Sequence, residues 1–131
     1  LTSINFSKLF SSHINNKASA TIATFTRNVN IDFGVLELND NSELTNYTEK
    51  PTFDYKVSMG INVFNKSSIL NVIKKDEYLD IPDLMMLIKN KGDKVFCYQE
   101  DCEWLDIGRV EDYKTAVNTF EDRKKIFLPN E

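Results

Sequence analysis

Apolar side chains recur at helical spacing near both ends of the chain. The first set, three or four residues apart, is Phe6, Leu9, Phe10 and Ile14. This spacing predicts an amphipathic helix over residues 5–16, with Asn5 as its cap. A second set begins at Val110 and predicts a closing helix of about five turns. The only histidine, His13, lies on the first stripe, so we interpret it as a partly buried, hydrogen-bonded side chain rather than a ligand or a base.

Between these helices the pattern changes to that of strands. The small and β-branched run 18–26 is typical of a strand that is covered on both faces. Segments 33–38 and 43–50 flank the turn-forming sequence NDNS, which predicts a β-hairpin. A further strand is predicted over 55–64. Gly60 inside it indicates a bulge or a place where another group approaches the backbone closely.

The second half of the chain alternates between helices and strands. Short helices are predicted at 67–75 and at 82–91, and Gly92 would end the second of them. The sequences KVFCYQ and CEWLDI predict a last hairpin over residues 94–107. Alternation with short connections is typical of an α/β domain, with a mixed sheet flanked by helices.

The composition is that of an ordinary globular protein and excludes several classes of function. The chain has 131 residues, of which 41% are hydrophobic and 27% charged, and its net charge is −4. This acidic balance argues against nucleic acid as a partner. No segment predicts a membrane span or a signal peptide, so we expect a cytoplasmic protein without membrane association. Cys97 and Cys102 are too few for a cysteine-based zinc site, and we expect both to be buried and reduced.

Few residues remain that could carry chemistry. The four glycines are too far apart to form a phosphate-binding loop of the dinucleotide or P-loop kind. A Ser-His-Asp or Cys-His arrangement would depend on His13 alone. The remaining candidates are the adjacent pair Glu49 and Lys50, and Asp106.

Glu49 and Lys50 lie where a strand is predicted to end, directly before Pro51. A lysine at such a place can bind a phosphate as a point charge, and a glutamate can accept hydrogen bonds from sugar hydroxyls. The alternative is an ordinary pair of surface charges.

Asp106 lies between Leu105 and Ile107 at the end of another predicted strand. An aspartate in apolar company is costly unless it is paired, caps a helix or holds a cation. Two interpretations therefore stay open: Asp106 is a functional carboxylate, or it caps the helix that begins near Val110.

Four segments, in their order and spacing, indicate a family. They are FGVLEL…YTEKPT, VSMGINVF, YLDIPDLMMLI and EWLDIGRVEDYKTA. Over essentially all of its length the chain resembles the C-terminal half of the catalytic domain of sugar-1-phosphate nucleotidyltransferases. Within that family it is most similar to the mannose-1-phosphate guanylyltransferase-like branch, which Arg109 favours slightly. The resemblance implies part of a Rossmann-like nucleotidyltransferase domain with a mixed, mostly parallel sheet.

The resemblance also implies a reaction. The phosphate oxygen of a sugar 1-phosphate attacks the α-phosphorus of a nucleoside triphosphate, and pyrophosphate leaves. Catalysis then comes from positioning and from charge neutralisation by Mg²⁺. The product is a nucleotide-activated hexose for polysaccharide or glycoconjugate synthesis.

The family motifs imply roles for individual residues of this chain. Glu49 resembles the acid that binds sugar hydroxyls, and Lys50 resembles the base that holds the sugar phosphate. Asp106 resembles the second of two aspartates that coordinate Mg²⁺. Contacts with the substrate are further implied for Gly34, Val57 and Gly60.

Other conspicuous residues of the motifs are expected to be structural. Trp104 would pack so as to fix the loop of Asp106. Asp80 and Asp83 flank a predicted helix start, where capping and the helix dipole already account for acidic residues.

The nucleotide-binding part of the family has no counterpart in this chain. In the family, a Gly-rich basic loop that grips the triphosphate and a Gly-Asp pair with the first metal aspartate come earlier, and the Gly-Asp would fall immediately before Leu1. We therefore expect the isolated chain to be inactive and its parent protein to be the enzyme. A sheet edge and an apolar patch left uncovered would favour self-association as a homo-oligomer.

Two other functions remain open from the sequence. A regulatory or sugar-phosphate-binding subunit would keep the fold without catalysis, although it need not retain both motifs. In an unrelated α/β interaction domain, Lys50 and Asp106 would be a surface residue and a cap.

Overall fold

The computed structural model describes residues 1–70, 72–108 and 110–128, except for the side chains of residues 111 and 112. The elements in chain order are α1 (Phe6–Asn15), β1 (Ala20–Asn30), β2 (Val35–Leu38), β3 (Leu44–Thr48), β4 (Thr52–Phe64), α2 (Lys66–Leu70), α3 (Ile81–Asn90), β5 (Val95–Gln99) and α4 (Val110–Phe127). They form a three-stranded sheet in the order β4-β1-β5 and a two-stranded sheet of β2 and β3. The predicted α/β class with a mixed sheet flanked by helices is confirmed.

The chain divides into two compact units. The sheet unit comprises Leu1–Phe25 and Ser58–Glu131, and the hairpin unit comprises Thr26–Val57. β1 and β4 contribute residues to both units.

The sheet unit is built around β1. This strand pairs in parallel with β5, from Ala20 opposite Val95 to Thr24 opposite Gln99. Its small residues permit burial on both faces, as the sequence predicts. The first core cluster, on the α1 face, is Ile4, Leu9, Ala23 and Met59. The second, on the α3 face, is Ala20, Leu84, Met85 and Ile88.

The two helices that pack against these clusters, α1 and α3, begin at the predicted caps. The Asn5 side chain accepts a hydrogen bond from the N–H of Lys8, and the Asp80 side chain accepts one from the N–H of Asp83. Gly92 follows α3 with a φ of 87°, the left-handed conformation that glycine adopts at low cost. The capping explanation for Asp80 is thus confirmed.

His13 is buried and satisfied, as the sequence predicts. Its Nδ1 lies 2.8 Å from the hydroxyl oxygen of Thr21, which is itself fully buried. Both groups are withdrawn from water, so each depends on the other for a hydrogen-bond partner.

Replacing Thr21 by valine should therefore lower the free energy of unfolding by about 1–3 kcal/mol, because it leaves the His13 nitrogen unpaired at nearly constant volume. Urea denaturation would measure the loss. Thr45→Val is the control, since the exposed Thr45 hydroxyl bonds to the Glu37 carbonyl where water can replace it. Equal losses in both variants would contradict this explanation.

Two predicted elements differ from the structure. Of the helix predicted over 67–75, the structure has α2 over Lys66–Leu70, and residue 71 lies outside the described residues. Asp76 turns the chain with a φ of 65°. The predicted last hairpin was wrong. CEWLDI forms no strand with β5, because the backbone groups of Glu103 and Leu105 bond instead to Ser3 and Leu1.

Both cysteines are free, but only part of the prediction for them holds. Cys102 is partly buried. Cys97 is exposed, because it lies at a solvent-facing position of β5. Burial raises the pKa of the Cys102 thiol.

The surface of the sheet unit includes an apolar stripe. Phe6, Phe10 and Ile14 follow one another at four-residue spacing along α1, and each remains more than half exposed. Self-association through such a surface stays a prediction. No helix among the described residues is long and apolar enough to span a membrane.

Candidate functional site

The hairpin unit positions Glu49 and Lys50 at the end of β3. β2 and β3 run antiparallel, with Val35 opposite Thr48 and Leu36 opposite Tyr47. The pairing therefore brings the chain back toward residue 34 just as β3 ends. The predicted hairpin is confirmed.

Backbone hydrogen bonds hold the turn that follows β3. The N–H of Lys50 donates to the carbonyl of Phe33 at 3.3 Å, and the N–H of Ile31 donates to the carbonyl of Pro51 at 3.1 Å. Lys50 adopts a φ of 46°, a conformation that costs an L-residue about 1–2 kcal/mol. Lys17, Ser42 and Asp76 share a positive φ. The conformation alone therefore does not mark Lys50 as functional.

The side chains of Glu49 and Lys50 are both exposed. The Glu49 carboxylate accepts a hydrogen bond from the Tyr47 hydroxyl at 3.2 Å through Oε2. Within the described parts of the chain neither residue forms an ion pair. A cation and a hydrogen-bond acceptor at adjacent positions are thus both accessible to solvent.

The side chain of Tyr47 occupies the space beside Gly34. A Cβ atom added at Gly34 would lie 2.6 Å from Cζ of Tyr47 and 3.0 Å from its Cε1, far inside van der Waals contact. The Tyr47 ring lies beside the Gly34 backbone, and its hydroxyl contacts Glu49. Sequence reasoning missed Tyr47, although an aromatic residue two positions before Glu49 lies on the same side of an extended strand.

Val57 and Gly60 both lie on β4. Val57 is half-buried, and Gly60 has a φ of 75° with no described atom within 4 Å of an added Cβ. The backbone conformation alone accounts for this glycine, and the space beside it is open.

A second candidate site is the loop of Asp106 in the sheet unit. Leu1 and Leu105 exchange two backbone hydrogen bonds, each 2.9 Å long, and Thr2 forms an antiparallel bridge with Trp104. Asp106 directly follows this pairing. Trp104 packs against Phe25 with 5.5 Å between ring centroids, so the predicted packing role is confirmed.

Asp106 does not cap α4 through the hydrogen bond that the structure gives it. Its Oδ1 accepts the N–H of Gly108 at 3.1 Å, and Gly108 precedes the first helical residue, Val110, by two positions. A Cβ added at Gly108 would lie 3.2 Å from the same oxygen. The Asp106 carboxylate is exposed. The apolar surroundings expected from its neighbours in sequence are therefore absent, and Ile107 itself is half exposed.

The structure places the sequence-predicted residues in two groups. Gly34, Glu49, Lys50 and Val57 belong to the hairpin unit, and Gly60 and Asp106 belong to the sheet unit. Among the described residues no cluster of three or more His, Cys, Asp or Glu side chains could hold a metal ion. Asp106 could contribute one oxygen ligand. Arg109 lies outside the described residues.

Comparison with known proteins gives matches along most of the chain. The model of a family described as nucleotidyl transferase matches residues 1–123. A glucose-1-phosphate adenylyltransferase of Mycoplasma mobile is 27% identical over 138 residues, covering 95% of this chain and 36% of its own length. A UTP–glucose-1-phosphate uridylyltransferase of Synechocystis sp. is 29% identical over 125 residues, covering 89% and 32%. The chain spans about a third of the length of these relatives.

Solved structures share the fold. The crystal structure of HddC from Yersinia pseudotuberculosis superposes with a TM-score of 0.59 at 15% identity, covering 91% of this chain and 51% of that one. The structure of HddC complexed with GMP-PN gives a TM-score of 0.56 at 16% identity, with the same coverage.

Proposed function

Because this chain belongs to the nucleotidyl transferase family, we propose that its parent protein transfers a nucleotidyl group from a nucleoside triphosphate to a sugar 1-phosphate. The products are a nucleotide-activated sugar and pyrophosphate. Within this reaction the chain supplies the sugar-phosphate side of the site and one carboxylate for the metal.

The observation that carries the proposal is the position of Asp106. The paired hydrogen bonds between Leu1 and Leu105 mean that a residue joined to the amino group of Leu1 would continue the antiparallel pairing and face Asp106. An aspartate located there in a longer chain would provide a second carboxylate beside it. Two carboxylates at one place are a suitable site for a divalent cation.

The donor chemistry of Asp106 fits Mg²⁺. This ion prefers oxygen ligands and is held in enzymes by one or two carboxylates together with substrate phosphates. With Oδ1 fixed by the Gly108 N–H, the carboxylate is oriented but still exposed. When bound, Mg²⁺ would neutralise charge on the phosphates during transfer. Asp106 would hold it, and the Gly108 hydrogen bond would keep Asp106 in place.

In the hairpin unit, Glu49 and Lys50 bind the second substrate. The Lys50 ammonium attracts the phosphate of the sugar 1-phosphate, and the Glu49 carboxylate accepts hydrogen bonds from the sugar hydroxyls. Gly34 and Val57 of the same unit would lie against the sugar, and the contact that the family resemblance implies for Gly60 stays a prediction. With the phosphate neutralised and held, its oxygen is positioned to attack the triphosphate.

We further propose GTP and mannose 1-phosphate, or a related hexose 1-phosphate, as the substrates. The motif pattern around Lys50 and Asp106 and the identity of residue 109 support this choice. The two relatives are named as an adenylyltransferase and a uridylyltransferase of glucose 1-phosphate. The proposed guanine base and mannose therefore differ from theirs, and a comparison of substrates tests the difference. We expect the enzyme to act in the cytoplasm, in nucleotide-sugar supply for polysaccharide synthesis.

Product analysis tests the choice of substrates. The parent protein would be incubated with Mg²⁺, mannose 1-phosphate or glucose 1-phosphate, and one of four nucleoside triphosphates labelled at the α-phosphorus. We expect label in the nucleotide sugar with GTP and mannose 1-phosphate at the highest rate. A higher rate with glucose 1-phosphate and ATP or UTP would replace this assignment without affecting the reaction class.

Gly108→Ala should impair the reaction through Asp106 alone. The new Cβ would lie 3.2 Å from Oδ1, closer than ordinary contact, so the carboxylate must move by a few tenths of an ångström. We expect a rise in the Mg²⁺ concentration at half-maximal rate of about 10-fold, the lower range for changes that disturb a metal ligand's support. Unchanged Mg²⁺ dependence would contradict the role of this loop. Ser7→Ala is a suitable control, because Ser7 is an exposed residue of α1. Gly92→Ala is unsuitable, because the positive φ of Gly92 would strain an alanine.

A further inference from the structure

We propose that Tyr47 is a positioning residue that orients Glu49 for the sugar, and that the absence of a side chain at Gly34 leaves room for the Tyr47 ring in this orientation. The inference rests on the proposed role of Glu49. It assigns a function to Tyr47, the first residue of the segment YTEKPT, to which the family resemblance gives no role.

The geometry of β3 brings the two side chains together. Tyr47 is the penultimate residue of β3, and Glu49 directly follows Thr48, the last residue of the strand. The Tyr47 hydroxyl donates to Oε2 of Glu49 at 3.2 Å. Oε1 and the remaining lone pairs of Oε2 stay available to accept hydrogen bonds from a ligand.

Gly34 fixes the path of the tyrosine ring. Tyr47 lies opposite Leu36 in the hairpin, and its ring extends back over Gly34, where Cζ would lie 2.6 Å from any added Cβ. Contact with the bare glycine backbone supports one side of a ring that is otherwise 57% exposed. The hydroxyl is thereby held within reach of Glu49.

This arrangement would lower the cost of binding. A free, exposed glutamate samples many rotamers, and ordering it on binding reduces affinity. A hydrogen bond from Tyr47 selects one orientation before the ligand arrives. The benefit appears in the affinity for the sugar 1-phosphate rather than in the transfer step.

Tyr47→Phe in the parent protein tests this directly, because it removes the hydroxyl and keeps the ring. We expect the KM for the sugar 1-phosphate to rise about fivefold, the value of one ordinary hydrogen bond, with kcat and the KM for the nucleoside triphosphate unchanged. Tyr55→Phe is the control, since Tyr55 is a similarly exposed tyrosine of the hairpin unit that packs near Phe53.

A double-mutant cycle separates orientation of Glu49 from a general structural effect. In the Glu49→Gln background, Tyr47→Phe should raise the KM by less than twofold further, since the carboxylate that the hydroxyl orients is gone. An effect of Tyr47→Phe that is the same in both backgrounds, or no effect in either, would overturn the proposal. If instead Glu49→Gln itself leaves the KM unchanged, the proposed role of Glu49 is wrong.

A stability cycle tests the geometry without relying on activity. Gly34→Ala should lower the melting temperature, and the loss should largely disappear in the Tyr47→Ala background, where the clash is absent. Equal losses in both backgrounds would show that the ring does not cross Gly34, and the proposal would fail whatever the enzyme's activity.

Discussion

Asp106→Asn should reduce the turnover of the parent protein by at least about 100-fold while leaving its fold intact. Asparagine has the same shape and keeps an oxygen that can accept the Gly108 N–H, so the turn is preserved. What is lost is the negative charge that would bind Mg²⁺. Since the residue is exposed, we expect the free energy of unfolding to change by no more than about 0.5 kcal/mol.

The control for this prediction is Asp80→Asn. Asp80 is also an aspartate that accepts a backbone N–H, but it does so as the cap of α3. Asparagine is an equally good cap, so neither stability nor turnover should change appreciably. Loss of turnover in both variants, or in neither, would count against Asp106 as a metal ligand.

Lys50→Asn should raise the KM for the sugar 1-phosphate by about 10- to 100-fold, which is the range expected from a hydrogen bond to a charged group. The substitution removes the ammonium from the turn. It keeps the backbone, because asparagine tolerates the positive φ that Lys50 adopts. The KM for the nucleoside triphosphate should change far less. Steady-state kinetics with each substrate varied in turn measures both constants.

Lys17→Asn provides a matched control. Lys17 is an exposed lysine with a φ of 51°, so the same substitution changes charge and backbone preference equally at a place outside the proposed site. Its kinetic constants should remain those of the unmodified protein. A similar rise in KM for both variants would indicate a general effect of net charge and would remove Lys50 from the site.

The sequence was sufficient where local signals determine structure. Asn5 and Asp80 cap helices that begin where predicted, and the NDNS turn joins the predicted hairpin. Such elements depend on hydrogen bonds between residues close in sequence. The period of the apolar residues then assigns one face of each helix to the core.

The sequence was insufficient where partners are distant. Residues 102–107 are predicted as a strand of a hairpin, but the backbone of Glu103 and Leu105 bonds to Ser3 and Leu1, about a hundred positions away. No local pattern encodes that pairing. His13 differs from this case, because its partner Thr21 lies only eight positions later, on the next element, β1, and finding it requires the packing of α1 on β1.

The candidate site was predicted in part for the same reason. Glu49, Lys50 and Asp106 were found through motifs, and their roles stay predictions. Gly34 was explained by contact with a sugar, whereas the structure gives it a second explanation in the ring of Tyr47. Recognising that contact requires the register of β2 against β3, which a motif does not provide.

Pyrophosphate release by the parent protein tests the central claim most directly. The assay would contain Mg²⁺, mannose 1-phosphate or another hexose 1-phosphate, and each nucleoside triphosphate in turn. We predict release with at least one pair of substrates, dependent on both of them. No release with any pair from the folded parent protein would contradict the account and favour a regulatory or sugar-phosphate-binding subunit with the same fold.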